Sequence, residues 1–374
     1  MRKKILFVTH TLESFYGAAT SLRLLLENYS GIEADLMVPR SFRHRRDLTA
    51  TAAQFPAVRQ VYEISMPIDL GVVGLKRSFA EKAHGVVHWA SWRRDYRRYR
   101  NIMQDNKYDL VHFNSVVLHK MLLPGMPSMT HVREIVPDRD SPVIGKLAAG
   151  AGVLFIDSAT QRPFASQEGR MHALMLNNPF DMRGVAHSAG VLRHARLRPT
   201  TTVFSMIGRI SEMKGVDFVI AAFRRAAGSD SVLLVVGDGP PDYLAHCRNM
   251  AGDDSRILFW GEESNIKAVY AVTDYVVRGD PQPCVGRTIY EGLYAGCRVI
   301  MPGPGAPDLI FEADRFRESI LFYPAGSRNH LTGIFTACAG VKAENRQYRS
   351  NVEDYVRAFD AFADSCIARH QAKS

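Results

Sequence analysis

The sequence predicts an α/β protein made of two doubly wound parallel sheets, each covered by helices. The chain has 374 residues, which is too many for one ordinary hydrophobic core and suits two domains. Short apolar runs alternate with helical patterns along most of the chain, as expected of βαβ units. The alternation stops once, at about 183–200, and then resumes. We therefore expect two domains of similar size.

The apolar runs of the first half have the length and the polar endings of buried parallel strands. The run ILFVTH at 5–10 is followed by a loop and by leucines at helical spacing, which together form a first βα unit. Later strands are predicted at 33–39, 58–64, 108–115, 128–135 and 152–158. These elements place the first domain at 1–183.

The segment 184–200 is basic, rich in small residues and without a sustained apolar period, so it is predicted to be the linker. Strands then restart and define a second domain at 201–350. They are predicted at 201–209, 231–239, 256–261, 274–279 and 297–303. The last stretch, at about 351–370, has Tyr355 and Phe359 at helical spacing and is predicted to be a helix.

The composition narrows the class of protein. Apolar residues make up 46% of the chain and charged residues 23%, which is the balance of a soluble globular protein. The five cysteines are scattered without a CxxC spacing, which argues against a disulfide framework or a zinc site and predicts a cytoplasmic protein. The net charge of +9 indicates an anionic partner, which leaves nucleic acid, an anionic membrane and a phosphorylated substrate open.

The motif GRISEMKG follows a predicted strand of the second domain. Gly208 at the end of the strand lets a phosphate approach the backbone, and the cations Arg209 and Lys214 could neutralise a diphosphate. The alternative is a βα turn with solvated charges, and we give the two interpretations equal weight.

Two further motifs end strands in the same domain. In VVGDGP, Gly237 and Gly239 flank Asp238 in a pattern that by itself indicates a turn rather than a ligand site. Gly286-Arg287-Thr288 precedes a helical run, whose first backbone N–H groups form an anion site. Glu291 could cap that helix, or it could accept hydrogen bonds from a diol such as a ribose.

Together these motifs resemble a known family. GRISEMKG, VVGDGP, ILFWG and VGRTIYEGLYAGCRVI, in this order over about 200–303, resemble the donor-binding half of a retaining GT-B glycosyltransferase of glycosyltransferase family 4. The segments THTLESFYGAATSLRLLLENY, YDLVHFNS, THVREI and LNNPFD resemble the other half more weakly. The resemblance implies the GT-B fold, in which two Rossmann-like domains face each other across a cleft and the last helix packs back onto the N-terminal domain.

The resemblance also implies which residues bind the donor. Arg209 and Lys214 would hold the donor diphosphate, and Glu291 would bind the nucleotide ribose. The loop near Glu262 to Asn265 would lie beside the base. The implied donor-binding residues are Gly17, Gly208, Gly237, Glu262, Gly286, Arg287, Thr288 and Glu291.

In the N-terminal half, Gly17 lies at the position of the family's glycine-rich loop, which would close over the phosphates and the sugar. His131 lies at the position of the family's active-site histidine near the donor sugar, so the implied catalytic residues are His131, Arg209 and Lys214. Lone histidines are more often structural. The weaker candidates at strand ends are His10, His112 and Arg133.

One position departs from the family pattern. The family carries two glutamates in an E-x(7)-E arrangement, and here Glu291 matches the second while Pro283 occupies the position of the first. Proline has neither a carboxylate nor a backbone N–H, so it cannot hold a sugar hydroxyl in the same way. Asp280 could reach inward only if the loop were rearranged. The departure puts the identity of the donor sugar in doubt more than it does catalysis.

The segment 76–100 of the first half is strongly basic, with eight Lys or Arg against two acids. Aromatic residues recur in it at near-helical spacing, which predicts an amphipathic helix that rests on an anionic membrane or holds the acceptor. The predicted patch comprises Trp89, Trp92, Arg93, Arg94, Arg97 and Arg98. The alternative is a partly buried helix with a solvated charged face. Nucleic-acid binding is not expected, because no recognised motif accompanies the charge.

The sequence thus predicts retaining transfer of a hexose-type sugar from a UDP- or GDP-linked donor to a polysaccharide or a lipid-linked glycan. No cofactor and no metal are expected, since Arg and Lys can supply the positive charge. The enzyme is expected in the cytoplasm, with peripheral contact to the inner membrane face. Two alternatives stay open: a catalytically silent relative that binds a nucleotide sugar or partners an active transferase, and a GT-B-like sugar-nucleotide epimerase.

Overall fold

The computed structural model divides the chain into two compact units. The N-terminal unit comprises Met1–Pro179 and Asn351–Ser374, and the C-terminal unit comprises Phe180–Ser350. The structure describes residues 2–12, 17–40, 47–74, 79–185, 197–198, 200–226, 228, 230–280, 286–303, 313–343 and 346–373, with only the backbone at 79–89 and 313–314.

The boundary lies a few residues before the predicted one at 183. Phe180, Met182 and Val185 pack in the core of the C-terminal unit, where the Phe180 ring stacks on Tyr290 with centroids 5.3 Å apart. These apolar side chains therefore belong to the second unit. Most of the predicted linker at 184–200 lies outside the described residues.

The N-terminal unit is built on a seven-stranded parallel sheet in the order β3-β2-β1-β4-β5-β6-β7. Its strands are β1 Lys4–Val8, β2 Glu33–Pro39, β3 Val58–Ile64, β4 Leu110–Phe113, β5 Ser128–Val132, β6 Gly152–Phe155 and β7 Ala173–Met175. Most side chains of β1, β2, β4, β5 and β6 are buried, in keeping with a sheet covered on both faces.

Helices cover both faces of this sheet. They are α1 Gly17–Asn28, α2 Leu48–Ala52, α3 Phe79–Asn106, α4 Pro142–Ala148 and α5 Ser158–Gln161, with the chain's final helix α12 Val352–Gln371. Tyr355 and Phe359 of α12 pack into the core beside Phe7 of β1, so the final helix belongs to the N-terminal unit. Gly152 makes room for this helix, because a Cβ there would lie 2.3 Å from the Cys366 sulfur.

The C-terminal unit contains a six-stranded parallel sheet in the order β10-β9-β8-β11-β12-β13. Its strands are β8 Thr202–Ile207, β9 Ser231–Val236, β10 Ile257–Gly261, β11 Tyr275–Val277, β12 Arg298–Pro302 and β13 Ile320–Tyr323. Its helices are α6 Val216–Arg225, α7 Pro241–Ala251, α8 Ile266–Val272, α9 Arg287–Tyr294, α10 Ala313–Phe316 and α11 Arg328–Cys338. The strand order reverses between β8 and β11, and ligands of open α/β sheets bind at such a switch point.

The predicted strands correspond to β1–β6 and β8–β12, usually with earlier ends. The edge strands β7 and β13 were not predicted. No helix in the described parts of the chain has both the length and the apolar character needed to cross a membrane.

Candidate functional site

The turn after β8 presents Arg209 to solvent at the switch point of the C-terminal sheet. Gly208 adopts φ 117°, a conformation that side chains other than glycine's rarely allow. The Gly208 N–H donates to the carbonyl of Val236 at 3.0 Å, and the Ile210 N–H donates to that of Asp238 at 2.8 Å. Arg209 lies between these two anchored residues, and its side chain is exposed.

Gly237 and Gly239 allow the β9 loop to pack against this turn. A Cβ at Gly237 would lie 2.0 Å from the carbonyl oxygen of Gly208, and one at Gly239 equally close to that of Ile210. The resemblance implied that Gly237 binds the donor. The structure shows what its lack of a side chain does locally, which is to let the backbone carrying Arg209 sit directly against the β9 loop.

Lys214 reaches the same place from a short 3-10 helix, Glu212–Lys214, that precedes α6. Gly215 follows in the left-handed region with φ 59°, and a Cβ on it would lie 2.0 Å from the carbonyl oxygen of Gly279. This backbone contact brings the Lys214 ammonium to 3.5 Å from the Asp280 carboxylate after β11.

The sequence analysis did not single out Arg278, which lies at the centre of this region. Its guanidinium binds Asp280 through two hydrogen bonds, Nε to Oδ2 at 2.7 Å and Nη2 to Oδ1 at 2.8 Å. Its Nη1 donates to Thr288 Oγ1 at 3.3 Å. A small pocket is lined by Gly208, Arg209, Lys214 and Arg278. The structure thus brings Gly208, Arg209 and Lys214, which were predicted from the sequence, together with Arg278, which was not.

Helix α9 begins at this edge of the sheet with no side-chain cap on its first turn. Gly286 is the N-cap residue, and a Cβ on it would lie 2.7 Å from Nη1 of Arg278. The N-terminus of a helix carries a partial positive charge that attracts anions. The start of α9 is therefore chemically suited to a phosphate.

Glu291 is buried on α9 and is held from two sides. Arg287 Nε donates to its Oε1 at 2.9 Å, and the Tyr270 hydroxyl donates to its Oε2 at 2.8 Å. The Arg287 guanidinium also lies 4.8 Å from the centre of the Phe180 ring. Glu291 thus contacts the side chains of Arg287 and Tyr270, in contrast to the helix-capping alternative, and these contacts hold its carboxylate in one orientation.

Glu262 in the loop after β10 is exposed. Its neighbour Glu263, which sequence analysis did not separate from it, accepts a hydrogen bond from Trp260 Nε1 at 3.3 Å and one from the Asn265 N–H at 2.8 Å. Glu263 shapes this loop, and Glu262 is the carboxylate left facing solvent.

In the N-terminal unit, polar side chains cluster beyond the carboxyl ends of β1, β4 and β5. Arg133 donates from Nε to Asn114 Oδ1 at 3.1 Å, from Nη1 to Asn178 Oδ1, and from Nη2 to His131 Nδ1 at 3.1 Å. Ser21 of α1 also donates to Asn178 Oδ1, at 2.9 Å. Gly17, the first residue of α1, is exposed. Arg133 thus lies at the centre of the polar cluster that contains His131, the predicted active-site histidine.

His131 is buried and held in one tautomer. Because an arginine can only donate, His131 Nδ1 must accept from Arg133, so a neutral ring carries its proton on Nε2. Burial, followed by the charge of Arg133 and by His112, holds the pKa of His131 well below its usual value, so the ring is neutral. Among the described residues, Nε2 is a buried donor without a hydrogen-bond partner.

His112 is buried and His10 is half-buried, and both rings are neutral as well. Burial, with a smaller contribution from Arg133, lowers the pKa of His10 to about 4 and that of His112 to about 3. The His112 ring packs among Phe7, Phe359 and His131. Because aromatic rings surround it, we interpret His112 as a core residue.

Sequence analysis also passed over Glu134, three residues after His131. Ser115 Oγ donates to Glu134 Oε1 at 2.8 Å, whereas the buried Oε2 has no partner among the described residues. Burial raises the pKa of the Glu134 carboxyl. Its only sequence signal is its place shortly after a strand end.

The basic helix α3 does not expose all the residues of the predicted membrane patch. Trp92 is buried in the core of the N-terminal unit, against Tyr99 and beside Tyr96, because the helix turns this side toward the sheet. It is therefore not available to contact a membrane. Side chains exposed on the other side include those of Arg93, Arg94, Arg97 and Arg98. The side chain of Trp89 lies outside the described residues, as does Pro283.

Comparison with known proteins finds a family model that matches part of the C-terminal unit and a curated relative. Residues 201–331 match the family model described as "Glycosyl transferases group 1". A curated relative, the glycogen synthase of Paracidovorax citrulli (strain AAC00-1), is 28% identical over 203 residues. That match covers 50% of this chain and 39% of the relative, so the chain spans well under two thirds of that protein's length.

Solved structures share the fold over nearly the whole chain. Anabaena Alr3699/HepE, in complex with UDP and glucose, superposes with a TM-score of 0.70 at 18% identity, covering 97% of this chain and 100% of that one. The sucrose-phosphate synthase tll1590 of Thermosynechococcus elongatus gives a TM-score of 0.66 at 16% identity, covering 97% and 96%. At such identities the likeness establishes the fold, and the two sheets have the GT-B architecture.

Proposed function

On the premise that this chain carries a glycosyl transferases group 1 segment within a GT-B fold, we propose that it is a retaining glycosyltransferase. It moves a hexose-type sugar from a nucleotide diphosphate donor, linked to UDP or GDP, to a polysaccharide or a lipid-linked glycan. The observation that supports this proposal most is at the switch point of the C-terminal sheet, where Arg209, Lys214 and the start of α9 lie at the same edge.

The chemistry of that edge suits a diphosphate leaving group. Two cations, Arg209 and Lys214, and the positive end of the α9 dipole can stabilise the negative charge that develops as the sugar departs. Such preorganised stabilisation commonly supplies the largest share of catalysis. In the proposed mechanism the departing diphosphate also accepts the proton of the attacking hydroxyl on the same face of the sugar. No metal is assigned a role, since the side chains supply the positive charge.

Glu291 is suited to a ribose diol, because its buried carboxylate is already oriented by Arg287 and Tyr270. His131 is suited to the donor sugar, because a neutral imidazole with Nε2–H can donate one hydrogen bond to a hydroxyl or a ring oxygen. These two assignments complete the proposed donor site.

The test of this function is binding and turnover across a panel of UDP- and GDP-linked sugars. We expect Arg209→Ala and Lys214→Ala each to weaken nucleotide binding by about tenfold, the usual cost of a charged hydrogen bond. Arg248→Ala serves as the control, since this exposed arginine lies on α7 and stacks on Phe259. Absence of any nucleotide-sugar binding would sink the proposal, and binding without transfer would favour a silent relative.

We also propose that α3 contacts an anionic membrane at the cytoplasmic face, where a lipid-linked acceptor would be presented. Arg93, Arg94, Arg97 and Arg98 are exposed on it, and each cation near an anionic surface contributes about 1 kcal/mol. Flotation with anionic liposomes should show binding that falls with salt and with replacement of the four arginines by Gln. Equal binding to neutral liposomes, or no loss in the variant, would contradict this contact.

A further inference from the structure

The proposed function assigns no role to the charged cluster around Asp280. Arg278 and Asp280 form a two-bond ion pair in which the side chains are only 5% and 4% exposed. Removing two charges from water is costly unless geometry and hydrogen bonding are good, so the contacts that this pair makes with its surroundings are of interest. The question is what this pair holds.

Arg278 holds the start of α9. Its Nη1 donates to Thr288 Oγ1 at 3.3 Å, and it fits against Gly286 only because that residue has no Cβ. The backbone of Arg278 is itself anchored, since the Tyr323 hydroxyl of β13 donates to its carbonyl at 2.7 Å. The guanidinium therefore joins the end of β11 to the first turn of the helix.

Asp280 connects this arginine to Lys214. The Oδ1 atom that accepts from Arg278 Nη2 also lies 3.5 Å from Lys214 Nζ. The approach depends on two glycines, because a Cβ at Gly215 would lie 2.0 Å from the Gly279 carbonyl oxygen, and one at Gly279 would lie 2.4 Å from that of Gly215. One buried carboxylate thus links the two halves of the predicted phosphate site.

We infer that Asp280 is a positioning residue, which holds Lys214 and, through Arg278, the start of α9 at the spacing needed for one diphosphate. Asp280 does not contact the ligand in this scheme. Its carboxylate takes up part of the charge of two cations and so directs the Lys214 ammonium toward the turn that carries Arg209. The inference rests on the proposed function, since it assigns a nucleoside diphosphate to this edge.

Whether neutralising Asp280 weakens or strengthens nucleotide binding distinguishes a positioning role from simple charge repulsion. A carboxylate close to an anion site repels the anion, so neutralising it should strengthen binding if charge alone matters. Positioning predicts the reverse. We expect Asp280→Asn to weaken the binding of UDP and GDP, measured by calorimetry, by about tenfold, within the range found for coupled neighbours.

A double-mutant cycle with Lys214 distinguishes positioning from general damage. If Asp280 acts in part through Lys214, the loss caused by Asp280→Asn should be smaller in the Lys214→Ala background than in wild type, and the loss that remains is the part that acts through Arg278 and the start of α9. The matched control is Asp254→Asn, because Asp254 and Arg256 form the same two-residue, two-bond pair elsewhere in this unit, with N–O distances of 3.0 and 2.8 Å. This control should leave nucleotide binding unchanged.

Folding is monitored by thermal unfolding of each variant. If Asp280→Asn does not fold, Asp280→Glu keeps the charge that compensates Arg278 while moving the carboxylate by one methylene, and it should show the same coupling to Lys214. Unchanged or tighter binding in the folded variant, or an equal loss in the Lys214→Ala background, overturns the inference. If wild type binds neither UDP nor GDP, both the proposed function and this inference fail. If wild type binds them but the Asp280 variants do not behave as expected, only the inference fails.

Discussion

Single residues of the phosphate site show what a motif can and cannot reveal. The sequence named Arg209, Lys214 and Glu291 because each belongs to a short pattern at a strand end. It did not reveal that Glu291 is bound by Arg287 and Tyr270, since Tyr270 lies 21 residues away in sequence. Arg278 was missed for a related reason. An arginine directly after an apolar strand carries no motif, and its importance depends on Asp280 and Thr288 as neighbours.

Restoring the carboxylate missing from the family pattern tests the assignment of the donor sugar. Pro283→Glu is expected to change turnover or the preferred sugar among the panel, because the new carboxylate can accept from sugar hydroxyls. Affinity for UDP and GDP should stay within about twofold, a change of no more than roughly 0.4 kcal/mol. Steady-state kinetics and calorimetry on the same preparation give both quantities. If affinity shifts as much as turnover, the division between phosphate and sugar contacts is wrong.

The unpaired Nε2–H of His131 predicts that this residue affects turnover. His131→Gln should lower kcat by about 100-fold, as loss of one preorganised donor does, with little change in nucleotide affinity. Because the pKa of His131 is held far below neutral, the residue should add no titration to the wild-type rate profile above pH 6. The control is His172→Gln, whose ring stacks on Phe362 of the final helix. A large loss of nucleotide affinity in His131→Gln would contradict the assignment.

At the scale of elements, strand prediction succeeded for every interior strand of the two sheets and for the edge strands β3 and β10, and it failed for the short edge strands β7 and β13. The strands β1–β6 and β8–β12 stand out as apolar runs with polar endings. The edge strands β7 and β13 span three and four residues and are partly exposed, so their short apolar runs resemble loop sequence. Their pairing partners β6 and β12 decide that they are strands.

The close contact between the loops after β8 and β9 predicts that adding one methyl group at Gly237 strongly lowers the free energy of unfolding. Gly237→Ala forces φ 131° on an L-residue and places a Cβ 2.0 Å from a carbonyl oxygen, so it should lower the free energy of unfolding by more than about 3 kcal/mol. Gly261→Ala is the matched control. It has φ 84° but no atom within 4 Å of the added Cβ, and should cost about 1–2 kcal/mol. Urea denaturation of both variants gives the difference, and equal costs would show that the loops separate readily.

For the whole molecule, long-range packing assigns two stretches of chain to their units. The final helix α12 belongs to the N-terminal unit, because Phe359 packs on Phe7 while Lys3 pairs with Asp360 and Asp364. Phe180, in contrast, belongs to the C-terminal unit. Helical spacing reveals that α12 has an apolar face but not what that face contacts.

The buried histidines predict how the stability of the N-terminal unit depends on pH. The folded state lowers the pKa of His112 to about 3 by burial, whereas an unfolded chain binds the proton near pH 6.5. The unfolded state therefore takes up more protons below pH 6.5, and stability falls with decreasing pH by about 1.4 kcal/mol per unit for this group. His10 adds a similar loss down to about pH 4.

The variant His112→Leu isolates this contribution. Its free energy of unfolding, measured by denaturant titration between pH 4.5 and 6, should fall less steeply than that of wild type by about 1.4 kcal/mol per pH unit. The control His330→Leu replaces an exposed histidine of the C-terminal unit and tests whether the change in slope is specific to His112. Parallel curves for wild type and His112→Leu would show that the buried ring is protonated in the folded protein.

The sequence by itself determined the fold class, most strands and the residue types at the proposed donor site. These follow from local features: apolar periodicity, glycine at strand ends and cations in a fixed order. Only the tertiary structure decided that Trp92 faces the core, that Arg133 orients His131, and that Asp280 joins Lys214 to Arg278. Such pairings depend on the register of strands and on backbone contacts such as that of Gly215 with Gly279. A linear pattern does not encode them, because burial and charge compensation arise between segments that are distant in sequence.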